Sequence, residues 1–474
     1  MKKISLLLLI TSGALLFSSC NKWLDVQPNS QIKASELFKT ESGFKEALAG
    51  TYTLLTDEAL YGKELTYGMM GVLSHEWSTY PTTATGYADD GNYIYTTGTV
   101  TQNRIDGIWS KMYEGISNAN NILENIDAKN VFTGDNYKII KGEALALRAF
   151  MHFDLLRCFG ASYTVNASQP AIPYVTKYTA RQTAQLKVGE VAAAILADLL
   201  AAKELLKADP VLTGRVVTEG DDNGYLINRQ LHLNYYAVEG LLARLYLYMG
   251  NFEQAKLSAQ AVINSGKFTF STQKNVIDSV DRCGAPEHLF GLQITNLPQR
   301  SINYLSQEGT GIFSLSASQL LTYYESNTDD YRFLYLFKTG TGASADRRYL
   351  LKYAAPNSTE TYYQNKLAVL KLSEMYYILA ECDYHNNQSV LGDINPVRRA
   401  RGIAAFTTEP TDFRTVMNRE YRKEFMGEGQ LFYYYKWQNR ARIPESDKDL
   451  VALKAYIFPL PVSELQAADR ASNR

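Results

Sequence analysis

Apolar residues recur along much of this chain at helical spacing. Ile105, Ile108, Trp109, Met112, Ile116, Ala119, Ile122, Leu123 and Ile126 follow the i, i+3, i+4 rhythm of an amphipathic helix. Ile139, Ile140, Ala144, Leu147, Met151 and Leu155 predict a second helix beyond a Thr133-Gly134-Asp135 turn, and Val188, Val191, Ile195, Leu199 and Leu206 a third, stopped near Pro210. Residues 239–265, EGLLARLYLYMGNFEQAKLSAQAVINS, read as two helices joined at Gly250-Asn251. There Leu242, Ala243, Tyr246, Gly250, Phe252 and Ala255 fall at tetratricopeptide-repeat spacing. Ala243 and Ala255 let two helices approach closely, while Leu242 and Tyr246 fill the gap between neighbouring repeats. Residues 366–385 and 413–429 predict two more helices of this sort. The expected fold is mostly α, a tetratricopeptide-like scaffold of three or four stacked helical hairpins.

Two stretches break the rhythm. Residues 61–103 are rich in Tyr, Thr and Gly, with few helix formers. Between 268 and 365, FTFST, HLFGLQIT and RYLLKY read as short strands or extended segments, and the loops between them carry NLPQRSINYLSQEGTG and GTGASADRR. Irregular segments of that length in a compact protein are usually functional. A single helical domain over 46–474 is therefore expected, with loop and short-strand insertions at about 61–103 and 268–365. Ser35 or Thr40 is placed to cap its first helix.

Ahead of that domain the chain opens MKKISLLLLITSGALLFSSC. A membrane-spanning helix needs about 20 consecutive apolar residues. The run from Ile4 to Phe17 is shorter and is interrupted by Ser5, Thr11, Ser12 and Gly13. Lys2 and Lys3 followed by an apolar run and small residues have the form of an export signal. Leu16-Phe17-Ser18-Ser19-Cys20 resembles a bacterial lipobox, in which the Cys thiol is acylated and residues 1–19 are removed. The plainer reading is a secretory signal with an incidental Cys. Residues 20–45 then read as a lipidated tether; each acyl methylene that enters the bilayer adds about 0.8 kcal/mol of anchoring.

Composition narrows the chemistry. A net charge of −1 over 474 residues leaves no electrostatic footprint for nucleic acid or anionic lipid. The five histidines, His75, His152, His232, His288 and His385, have no paired spacing, and no HExxH, GxSxG, P-loop or strand-linked GxGxxG motif occurs. Beyond Cys20, Cys158, Cys283 and Cys382 form no CxxC pair; Cys158 and Cys382 fall in apolar helical patterns, and a Cys283 link to either stays open. Asp89-Asp90-Gly91 is read as a solvated turn, with a calcium site as the alternative. Glu420, Glu424 and Glu428, with Arg419, Arg422 and Lys423 among them, suggest a helix surface of ion pairs rather than a catalytic pair. No enzyme and no cofactor are expected.

The binding signal is stronger. Tyrosine is the compositional outlier, 34 against 19 Phe and 4 Trp, and it joins an apolar ring to a polar tip. The stretch HEWSTYPTTATGYADDGNYIY holds Trp77, Tyr80, Tyr87, Asn92, Tyr93 and Tyr95 amid Thr, Asp and Gly. Rings that stack on sugar faces, beside short side chains that bond hydroxyls, make a glycan platform; about half of these rings are expected instead to anchor the loop. Arg300, Asn303 and Tyr304 are candidates of the same kind in the second insertion.

Seven segments, in order, resemble the SusD/RagB family of Bacteroidota outer-membrane lipoproteins. They are the lipobox with CNKWLDVQP; IWSKMYEGISNANNIL; KGEALALRAFMHFDLLRCFG; LLARLYLYMGNFEQAKLSAQAVI; LKLSEMYYILAECDYH with INPVRRARGI; REYRKEFMGEGQ; and FPLPVSEL. Gly142, Glu143, Leu147, Arg148 and Ala149 match the family's GE…LRA helix, Asn395, Arg398, Arg401 and Gly402 its NxxRxRxG segment, and Glu424, Gly427, Glu428 and Gly429 its EFxGEG segment. The resemblance implies a helical lipoprotein on the outer face of the outer membrane. It would act as a lid on a SusC-like TonB-dependent barrel, capturing oligosaccharides or, in the RagB branch, peptides. The chain departs after GEG, where a His/Arg and an Arg-Trp-Gly run often follow and Gln430 to Trp437 stand instead. That departure bears on starch-like ligands in particular.

Overall fold

A computed structural model describes residues 36–83, 86–466 and 470–474; Cys20 and the tether as far as residue 35 lie outside the described residues. The helical periodicity becomes pairs of packed helices. Helix α1 (Glu41–Leu54) is capped by Thr40, whose hydroxyl accepts the Gly43 N–H. Helices α2 (Thr99–Ile126) and α3 (Asn136–Phe159) form a long hairpin, and α4 (Val188–Leu205) packs against α3. Helices α5 (Tyr235–Tyr248) and α6 (Phe252–Asn264) make a second hairpin, α7 (Leu372–His385) packs on α6 and α8 (Leu391–Ala400), and α9 (Phe413–Glu424) meets α10 (Gln430–Trp437). The α5–α6 turn needs Gly250 at φ +75°, and the Asn251 side chain then caps α6 on Gln254 N–H. None of the described helices is long and apolar enough to cross a membrane.

Helix α3 is buried on nearly every side, so its polar residues need internal partners. Arg148 forks onto Asp198 at 2.7 and 2.8 Å and reaches Asn120 at 3.0 Å. His152 contacts Arg148 O at 2.8 Å through Nδ1 and accepts Val175 N–H at Nε2; burial drives its pKa down to about 3, so it stays neutral. Cys158, Cys283 and Cys382 are free and buried.

The strands are short. β1 (Pro170–Pro173) pairs antiparallel with β2 (Gln185–Lys187), and β3 (His288–Gln293) with β7 (Lys366–Lys371). β4 (Leu315–Ser316), β5 (Phe337–Thr339) and β6 (Arg347–Leu350) form a sheet in the order β4-β6-β5. Three expectations are corrected. Residues 366–371 are strand β7 rather than the start of a helix, because a short apolar run looks the same in either state until its partner strand is known. FTFST forms no strand; Phe268 and Phe270 pack from an irregular segment. NLPQRSINYL is not a loop but the helix Leu297–Leu305, with Pro298 in its first turn.

Candidate functional site

Within the first insertion the large rings turn inward. Trp77 is 3% exposed, donates Nε1–H to Tyr67 O at 2.8 Å and lies 5.9 Å from the Phe313 ring of the second insertion. Tyr87, 5% exposed, bonds Glu64 at 2.9 Å and carries the Arg104 guanidinium 3.7 Å over its ring, while Tyr93, 4% exposed, bonds Leu73 O. Tyr95 is fixed by Ala455 O. The expectation that Trp77, Tyr87 and Tyr93 offer ring faces to solvent is thereby corrected: each is a peg with its polar tip satisfied inside. Asn92 is exposed, with its amide on Ala88 O. Asp90 is buried under Arg104, which corrects the solvated-turn reading at that residue, and the carboxylate of the calcium alternative is already engaged by a cation.

Tyr80 differs, being half-buried. Its hydroxyl lies against Gly91, where an added Cβ would come within 2.2 Å of it, so a side chain at that position would displace the ring. Just beyond Tyr80 the two insertions are stitched together. Thr79 pairs with Ser314, and Gly311 sits between Pro81 and the Tyr304 ring. Tyr304 is half-buried, bonds Glu58 at 3.0 Å and carries Lys63 5.1 Å above its ring. Arg300, one turn earlier, donates to Thr56 O at 2.9 Å, and Asn303 is exposed beside it. Tyr80, Arg300, Asn303 and Tyr304 thus gather at one seam.

A cleft of about 270 Å³ abuts the same segment, since Tyr323 in its floor donates to His75 O at 2.9 Å. One face of α9 lines it, with Thr415, Asn418, Arg419 and Arg422 at i, i+3, i+4 and i+7, opposite Tyr323, Tyr435, Arg440 and Glu445. Arg422 is 4% exposed; its Nη2 donates to Tyr435 Oη at 2.9 Å and its guanidinium lies 4.1 Å over the Tyr323 ring. Nearby Glu76 is fully buried and accepts Gly427 N–H at 3.0 Å; burial pushes its pKa up to about 8. Sequence reasoning missed this cleft: the signal was the 415, 418, 419, 422 spacing, but nothing local says which face of α9 stays open.

The opposite face of α9 corrects a further expectation. Glu420, Glu424 and Glu428 are paired with cations, yet they are buried rather than on a helix surface. Arg401 clamps Glu287 at 2.8 and 2.7 Å and Glu424 at 3.0 and 2.6 Å. Arg332 reaches Asp330 and Glu424, and Lys371 and Lys352 meet on Glu428. Burial alone would raise the Glu420 pKa, but Lys423, Arg332 and Arg398 outweigh it and hold the carboxyl at about 2.

Paired helices carrying two surface insertions, with an aromatic seam where those insertions meet and a polar cleft along α9, define a tetratricopeptide-like scaffold of mostly α class. Residues 22–217 match a family described as starch-binding and associating with the outer membrane, and residues 293–440 match the SusD family. A SusD-like protein, P38, of Formosa agariphila is 26% identical over 271 residues, covering 57% of this chain and 47% of its own. The chain therefore spans about half the length of the curated relatives it matches. A SusD superfamily protein of Bacteroides thetaiotaomicron has the same fold, with a TM-score of 0.71 at 20% identity over 92% of this chain and 100% of that one. Surface glycan-binding protein A of Bacteroides uniformis superposes with a TM-score of 0.71 at 18% identity, over 92% of this chain and 99% of its own. The chain belongs to the SusD/RagB family.

Proposed function

We propose that this chain is a nutrient-binding lipoprotein of the outer membrane's outer face, anchored through Cys20. It captures oligosaccharides at the seam and the adjoining cleft and delivers them, without turnover or cofactor, to a SusC-like TonB-dependent barrel. The observation that carries the reading is the junction of two insertions far apart in sequence. They leave Tyr80 and Tyr304 half-buried amid hydrogen-bonding side chains, beside a cleft of about 270 Å³. Family membership supports carbohydrate as the ligand class, and a protein named for surface glycan binding shares the fold.

Calorimetry across an oligosaccharide panel, with oligopeptides as the counter-panel, tests the proposal. Oligosaccharide binding is expected, weakened about tenfold in Tyr304→Ala, a loss of about 1.4 kcal/mol. Peptide binding with no response to any sugar sinks it.

A further inference from the structure

Seven described arginines are more than nine-tenths buried: Arg148, Arg157, Arg229, Arg244, Arg332, Arg401 and Arg422. Six of them have a carboxylate within 4 Å. Arg422 does not. Its Nη1 is buried with no hydrogen-bond partner among the described residues; a phenol oxygen and a ring face attend the rest of the group, and Glu76 is within electrostatic range. A buried charge without a counter-charge is costly, and this chain avoids that cost at every other buried arginine. Glu76, behind it, is held largely protonated at neutral pH and supplies no full negative charge.

The cleft that Arg422 lines repeats the imbalance. Arg440, half-buried at its rim, also lacks a carboxylate within 4 Å among the described residues, and its Nε donates only to Arg442 O at 3.2 Å. Arg419 shares its charge with Glu325 at 3.0 Å. Among the described residues Glu445 is the single carboxylate lining the cleft, and it is exposed. Three guanidiniums therefore face one solvated acid across a space large enough for a sugar ring.

We propose that this cleft takes the acidic group of the captured oligosaccharide, a uronic-acid carboxylate or a sugar sulfate, against Arg422 and Arg440. The inference rests on the oligosaccharide-capture reading and names its ligand class. Guanidinium groups suit this task because their planar donor fork matches carboxylate and sulfate oxygens. Tyr323 and Tyr435 hold Arg422 in place before the ligand arrives, so little ordering is needed on binding.

Calorimetry on the full lipid-free chain separates the outcomes. The probes are oligogalacturonates, their methyl esters, alginate oligomers, a sulfated galactan oligosaccharide and maltohexaose. An acidic oligosaccharide is expected to bind at least about tenfold more tightly than a neutral one, with affinity falling as salt rises. Arg422→Met lowers that affinity about tenfold and Arg440→Gln about threefold, each a larger loss than the same variant shows for maltohexaose. Arg440 is on the rim, so its variant decides the matter should Arg422→Met fail to melt like the parent. Equal binding of acid and methyl ester, or affinity indifferent to both substitutions, overturns the acidic class and leaves capture standing. Binding of no oligosaccharide at all overturns capture, and the inference with it.

Discussion

Helix α9 carries two charged faces within a few ångströms of each other, and they obey different rules. On one, Glu420 and Glu424 are buried against Arg332, Arg401, Lys371 and Lys423, each charge matched several times over. On the other, Arg419 and Arg422 line a cleft, and Arg422 is buried without a carboxylate of its own. Where the chain supplies both charges, the cluster ties the second insertion and α8 to α9 and serves the scaffold. Where it supplies one, the arrangement is complete only with something from outside. Charge density alone therefore does not mark a site; a missing partner does.

The comparison can be broken experimentally. The largest effect is expected for Arg401→Met, which leaves Glu287 and Glu424 short of a buried partner; a loss of about 3–5 kcal/mol in urea unfolding is expected. A loss below about 1 kcal/mol would make the network ornamental. Glu76→Gln has a smaller effect of opposite sign. The folded pKa of about 8 stands above the unfolded carboxylate value of about 4.5, so the stability that Glu76 contributes is fully present below 4.5 and lost as pH rises through 8. The amide keeps an acceptor for Gly427 N–H, so this variant should gain at least about 1 kcal/mol over the parent at pH 8.5 and almost nothing at pH 4. A gain of equal size at both pH values would remove ionisation as the cause. The smallest effect is expected for Arg422→Met, whose stability should stay within about 1 kcal/mol of the parent because it discards an unpaired buried charge along with one Tyr435 bond. A cost matching that of Arg401→Met would show that Arg422 belongs to the scaffold after all.

Much of the architecture is legible in the chain. The helix periods at 105–126, 139–155 and 188–206 correspond to α2, α3 and α4, and the Gly250-Asn251 turn lies between α5 and α6 as its chemistry requires. Local periodicity and turn chemistry suffice there because each contact needed lies within a few turns. Strand β7 escaped this reading because its partner β3 lies far upstream, and an apolar run of four residues between Lys366 and Lys371 carries no period that distinguishes the two states. The site was less legible. Trp77, Tyr87 and Tyr93 have the composition of a glycan platform, yet Phe313, Glu64 and Leu73 O take their faces and tips. Arg300 and Tyr304 lie a helical turn apart on one helix, which the sequence concealed behind Asn-Leu-Pro.

The sequence by itself determined that this chain makes helical hairpins and to which family it belongs. Spacing and motif order are properties of the chain alone. Only the tertiary structure decided which aromatic rings are pegs and which remain half-open, and which face of α9 is closed by ion pairs. Exposure and charge balance depend on segments that meet from opposite ends of the chain, as Ser314 does with Thr79 and Arg332 with Glu424. No residue reveals from its own position whether a counter-charge will arrive from such a distance; among the described residues no carboxylate comes within 4 Å of Arg422.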